Sequence, residues 1–110
     1  MIPARRDLNL WRGNSETLTY RLLEEGGNPT PLEGMAISMV IDSDGVVTEI
    51  PAEIPDPDLG RFLIFLPADL TKDLTSRDYL PHYEIKRTFG AEEKTILFGN
   101  LMMGGSINNG

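Results

Sequence analysis

The chain has 110 residues, with 10 Lys and Arg against 17 Asp and Glu for a formal net charge of −7. A chain this acidic repels a phosphate backbone, which is bound by clustered Lys and Arg, so nucleic acid is not expected as a partner. Cysteine is absent, which removes disulfides and thiolate metal sites and fits folding in a reducing cytoplasm.

The length suits one domain with a single core. No apolar run approaches the roughly 20 residues of a membrane helix, so no membrane partner is expected. Met1-Ile2-Pro3-Ala4-Arg5-Arg6 lacks the apolar stretch of a secretory signal. Residues 1–6 read as an N-terminal arm, with Arg5 and Arg6 either solvated or reaching an acidic neighbour.

The first expected strand is Asp7 to Trp11, where Leu8 and Leu10 alternate with Asn9. Its Trp11 is expected to anchor the strand in the core, because an indole buries a large area, with a contact role as the alternative. Arg12-Gly13-Asn14-Ser15 is a turn. Thr17 to Leu23 follows, with Leu18, Tyr20 and Leu22 on one face, and Glu24 to Pro29 breaks it. The run Met35 to Asp42 buries Met35, Ile37, Met39 and Ile41, and Asp44-Gly45 supplies a tight hairpin turn. Val46 to Ile54 reads as one strand, placed at a sheet edge by Pro51, which has no N–H to give to a ladder.

Arg61 to Leu66 is the most apolar strand, and Pro67 to Asp78 reads as a helical turn crossing between sheets, closed by Ser76-Arg77-Asp78. Tyr79 to Thr88 and Thr95 to Met103 form a hairpin whose tip carries Glu92 and Glu93, and residues 104–110 form a flexible C-terminal tail. About seven short strands at this spacing predict an all-β, immunoglobulin-like Greek-key β-sandwich over residues 7–103. A barrel is the alternative architecture.

Few residues suggest chemistry. The single histidine, His82, falls on the outward face of its strand, and no Gly-x-Ser-x-Gly elbow accompanies it. Asp42-Ser43-Asp44-Gly45 begins like a calcium loop with Glu53 at the twelfth place, but the intervening residues read as strand. Glu53, Asp56 and Asp58 read as a solvated acidic loop rather than a cation site. No cofactor, metal or small-molecule substrate is expected.

The outer faces are more informative. If Phe62, Ile64 and Leu66 enter the core, Leu63 and Phe65 face outward, where with Leu23 they can form a docking patch. Ile96 and Phe98 fall opposite Leu97, Gly99 and Leu101 and are expected as a second exposed apolar pair.

Asp7-Leu8-Asn9-Leu10-Trp11-Arg12-Gly13, Thr17-Leu18-Thr19-Tyr20, Pro31-Leu32-Glu33-Gly34-Met35, Gly60-Arg61-Phe62, Leu66-Pro67-Ala68 and Tyr79 to Met103 follow one another in a distinctive order. That order resembles the small immunoglobulin-like structural proteins of tailed bacteriophages and prophages, similar to the N-terminal domain of phage baseplate upper proteins. The chain departs from the family in having Leu32-Glu33-Gly34 where Leu-Thr-Gly is common, and in Pro81 within the penultimate strand. The resemblance implies a non-enzymatic virion protein, made in the bacterial host cytoplasm. It would pack in several symmetric copies against tail, baseplate, fibre or capsid proteins. A carbohydrate-binding module, needing Trp11, Tyr79 or Tyr83 outward, is the alternative, and a small enzyme built around His82 comes third.

Overall fold

Alternation at a period of two becomes two facing sheets in the computed structural model, which describes residues 3–74 and 80–105. The strands are β1 (Ala4–Arg5), β2 (Leu8–Trp11), β3 (Glu16–Arg21), β4 (Ala36–Ser43), β5 (Val46–Pro51), β6 (Glu53–Asp56), β7 (Arg61–Leu66), β8 (His82–Phe89) and β9 (Glu92–Gly104), with one short helix, α1 (Ala68–Asp73), after β7. One sheet has the order β1-β9-β8-β4-β5, with β2 also paired to β9, and the other has the order β3-β7-β6. The molecule is an all-β sandwich.

Its core is the set of inward positions that alternation marks. Ile37, Met39 and Ile41 from β4, Tyr83 and Ile85 from β8 and Leu101 from β9 meet Phe62, Ile64 and Leu66 from β7. Each such side chain contributes about 1.5–3 kcal/mol when removed from water. Tyr20 packs on Phe62 with ring centroids 5.4 Å apart.

The β4–β5 hairpin closes as its sequence requires. Asp44 and Gly45 both have positive φ, 51° and 85°, the pair of left-handed residues that matches strand twist in a two-residue turn. The Gly45 N–H donates to Asp42 Oδ1 at 3.0 Å. Pro51 does lie on an edge strand, but the run expected as one strand is two. After Pro51 the Ala52 N–H still donates to Ile37 O at 2.8 Å, whereas Glu53 already pairs with Leu63 in the opposite sheet. The register turns the Pro51 nitrogen away from β4, so its missing N–H costs the β4–β5 ladder nothing and leaves the outer edge without a donor. The chain changes layer one residue later, after Ala52.

Residues 4–5 and 104–105, expected in an arm and a tail, are held by hydrogen bonds within the described part of the chain. Ala4–Arg5 pairs in parallel with Leu97 and Phe98, and Leu8–Trp11 pairs in parallel with Leu101 to Gly104. Strand pairing therefore crosses the expected boundary at residue 7, while the Arg5 and Arg6 side chains stay exposed. Arg12 donates to Gly105 O at 2.8 Å and to Leu74 O at 3.3 Å. The buried Thr71 hydroxyl of α1 donates to Asn14 O at 2.8 Å and accepts from the Gly13 N–H at 3.2 Å, tying the helix to the β2–β3 turn. Tyr79, the Ser76-Arg77-Asp78 closure and residues 106–110 of the expected tail lie outside the described residues.

Two expectations for the last hairpin are corrected. Its loop is only Gly90-Ala91, so Glu92 and Glu93 lie within β9, opposite Phe89 and Thr88. Glu93 pairs with Lys86 at 3.4 Å and Glu92 with Lys94 at 3.5 Å. In addition, the register shifts between Ile85 and Lys86: Ile85 faces Leu97 but Lys86 faces Thr95, leaving Ile96 as the extra residue of a β-bulge.

Candidate interaction surface

The bulge decides where the expected surface residues go. It turns Ile96 inward, 9% exposed and part of the core, with Leu97 packed beside it, before Gly99 and Leu101 resume the inward positions. Ile96 is therefore not an exposed partner of Phe98. Phe98 does face out, 36% exposed, on the outer side of the large sheet, in register with Arg5 on β1 and Glu84 on β8.

Phe65 and Leu63 lie on the outer face of the small sheet. Phe65 is 55% exposed and Leu63 half-buried. Phe65 faces Thr17 across the β3–β7 ladder, while Leu63 sits between Thr19 on β3 and Glu53 on β6. The next row holds Arg21 opposite Arg61, which is ion-paired to Asp56. That charged row separates Leu63 from Leu23, which is exposed beyond the end of β3 and bridged to Pro29. The seven expected residues thus divide among two opposite faces, the core and the seam where Arg6 lies.

Trp11 corrects a further expectation. It is 57% exposed, and its ring lies over Gly104 and Gly105, where added Cβ atoms would come within 2.7 and 3.2 Å of it. With Met102 and Phe98 it makes an apolar line along the outer side of β2 and β9. Alternation held the signal: Leu8 and Leu10 point in, so Asn9 and Trp11 point out. The expectation from side-chain size overrode it. Between this line and β8, Arg5, His82, Glu84, Phe98 and Asn100 border an open depression of about 420 Å³.

The geometry a small enzyme needs is not formed at His82. That side chain is exposed, with Nε2 3.8 Å from Asp42 Oδ2, instead of buried in a hydrogen bond to a carboxylate. The Asp42 to Gly45 segment is the hairpin turn, and Glu53 lies in the other sheet, so no twelve-residue cation loop is assembled. Among the described residues no group of three or more His, Asp or Glu side chains is placed to hold a metal ion.

The two described tyrosines sit at the seam between sheets. The Tyr83 hydroxyl donates to the Arg6 carbonyl, fastening the first residues to the core. Burial pushes the Tyr83 phenol up to about 12, assisted by Tyr20 and Asp7 and opposed by Arg6. Burial also raises Tyr20, again against Arg6. A raised folded pKa means that the native state keeps its proton where the unfolded chain has released it. Stability is then full below about pH 10 and falls as pH rises towards 12, by on the order of 2 kcal/mol for Tyr83. Urea unfolding at about pH 9 and about pH 11.5 measures this, and Tyr83→Phe is expected to flatten the difference.

No family model and no curated protein matches the sequence. Among solved structures the chain is similar to the N-terminal domain of phage TP901-1 ORF48, with a TM-score of 0.58 and 13% identity over 94% of this chain and 91% of that one. It also superposes on part of a putative glycoside hydrolase from Bacteroides vulgatus, with a TM-score of 0.46 and 14% identity over 94% of this chain and 18% of that one. The second likeness is too distant and too partial to bear on function. The first covers nearly all of both chains, and it shows that this chain has the fold of a phage domain.

Proposed function

We propose that the chain is a non-enzymatic structural module of a tailed-phage particle, an immunoglobulin-like adaptor that attaches to tail, baseplate, fibre or capsid proteins. The observation that carries this reading is the likeness to the phage domain over nearly the whole of both chains. The strand order supports the immunoglobulin-like assignment: β3-β7-β6 facing β9-β8-β4-β5 follows the B-E-D and G-F-C-C′ order of such sandwiches. The domain would reside in the virion after synthesis in the host cytoplasm, in several copies related by particle symmetry.

Phe65 supplies the anchor of the docking face. It is a large apolar side chain with Leu63 beside it and a rim of Thr17, Thr19, Glu53 and Arg61, the pattern of a desolvated centre framed by polar groups. Replacing Leu63 and Phe65 together by Asp is expected to leave the isolated domain folded, because both lie on an outer face. Incorporation into particles should fall at least about tenfold, the effect of losing roughly 1.4 kcal/mol. Normal incorporation of the folded double variant would remove this face from the interface.

The outward Trp11 favours a second reading, a carbohydrate-binding module on the virion surface, since it offers one flat aromatic platform. Glycan-array binding that disappears in Trp11→Ala would support it, whereas the structural reading expects no such binding.

A further inference from the structure

Among the described residues, β3 is a sheet edge with neither a proline nor a bulge. Edge strands usually carry a proline, a bulge or a charge that discourages pairing with another chain. β5 ends in Pro51, and β6 contains Pro55 and a register irregularity. The outer edge of β9 is taken by β1 and β2. β3, Glu16-Thr17-Leu18-Thr19-Tyr20-Arg21, has charges only at its two ends, no proline and an unbroken register to β7, and among the described residues no strand pairs with its other side.

Two cavities of about 220 Å³ each follow that edge, where it meets the first residues of the chain. One is lined by Arg6, Leu8 and Leu18. The other is lined by Leu22, with Phe62, Ile96 and Leu97 as an apolar floor. Tyr20 borders both, and its buried hydroxyl makes no hydrogen bond. Leu18, Tyr20 and Leu22 are alternate residues on one face, successive ones about 6.6–6.8 Å apart, and each cavity is bordered by two consecutive members of that set. Arg6 and Arg21 line the two cavities and no carboxylate does. Neither arginine has a carboxylate within ion-pair distance among the described residues. In a chain of net charge −7, this seam is locally cationic.

We infer that the β3 edge accepts an extended segment of a partner protein as an added antiparallel or parallel strand. Free backbone groups of β3 bond the incoming backbone, as in other strand-addition complexes. Apolar side chains at two alternate positions of that segment fill the cavities, Tyr20 donates to it, and carboxylates next to the apolar positions meet Arg6 and Arg21. The inference is independent of the Phe65 face, which lies on the outside of the same sheet.

The test uses the full chain labelled for amide NMR and the blocked peptide Glu-Val-Glu-Val-Glu-Val as probe. Saturable shifts confined to Thr17–Leu22 and their neighbours across the seam are expected, with slowed hydrogen exchange at β3 amides. Reversing both charges, Arg6→Glu with Arg21→Glu, should weaken this peptide about tenfold and favour Lys-Val-Lys-Val-Lys-Val instead. Leu63→Asp with Phe65→Asp should leave the affinity unchanged, which separates this site from the docking face. Absence of β3 shifts at millimolar peptide, β3 edge amides already protected in the free chain, or affinity indifferent to the charge reversal would each overturn the inference.

Discussion

Ile96→Asp is expected to destabilise the domain by about 4 kcal/mol, whereas Phe98→Asp, two positions further on, costs less than about 1 kcal/mol. In a regular strand the two side chains share a face, and both substitutions would have similar effects. The bulge opposite Ile85 and Lys86 separates them, placing Ile96 in the core and Phe98 on the outer side. An aspartate at 96 replaces an apolar side chain in the floor formed with Leu97 and Phe62. The one cation lining that cavity, Arg21, is an exposed side chain, so burial at 96 still favours a protonated carboxyl or an opened strand. Urea unfolding midpoints of the two variants measure the contrast. Equal midpoints would mean that the alternation in β9 runs unbroken.

The same residue shows where sequence reasoning stops. Alternation within a strand depends only on the local chain, so Leu18, Tyr20 and Leu22, or Ile37, Met39 and Ile41, could be placed inside without knowledge of any neighbour. The two-residue turn at Asp44-Gly45 was legible for the same reason, because positive φ is a property of those two residues. A bulge is different, since it is a mismatch between two strands: Ile96 is extra only relative to Lys86 and Ile85. Nothing in the run Thr95 to Leu101 marks it. The division of Val46 to Ile54 between sheets belongs to the same class. Pro51 announced an edge, but where the chain goes next depends on Leu63 in the other layer.

The candidate surface was partly legible. Phe65 and Leu63 faced outward as expected because their strand is regular, and the order of turn segments along the chain pointed to the phage family whose fold the structure shares. Trp11 was misplaced because a general preference of large aromatics for the interior outweighed its own alternation with Leu8 and Leu10. What holds its exposed ring is the Gly104-Gly105 pair, a tertiary contact between residues more than ninety positions apart. The parallel docking of residues 4–11 on β9 was likewise invisible, since alternation marks Leu8–Trp11 as a strand but does not say which strand it pairs with, and Ala4–Arg5 is too short to show a period.

That docking predicts the second large effect, at Gly99. The residue is buried on β9 opposite Tyr83, and a Cβ added there would fall on the carbonyl oxygen of Arg6 and come within 3.1 Å of the Asp7 nitrogen. Glycine is needed because one backbone lies directly against another. Gly99→Val must therefore displace Arg6, although valine suits a strand well. Displacement breaks the Arg6 N–H bond to Phe98 O and the Asn100 N–H bond to Asp7 Oδ1. It also leaves the Tyr83 hydroxyl buried without its acceptor. Overpacking costs about 1–3 kcal/mol and an unsatisfied buried hydroxyl about 1–3 kcal/mol more, so a loss of roughly 2–6 kcal/mol is expected. A chain lacking residues 1–7 provides the control: its partner in the clash is gone, and Gly99→Val should then cost less than about 0.5 kcal/mol beyond the truncation. The coupling between the two changes, read from denaturant unfolding of all four forms, is the quantity that tests the contact. If valine costs as much without the first seven residues as with them, the strain at 99 arises within β9 and β8 rather than from the docked N-terminal strand.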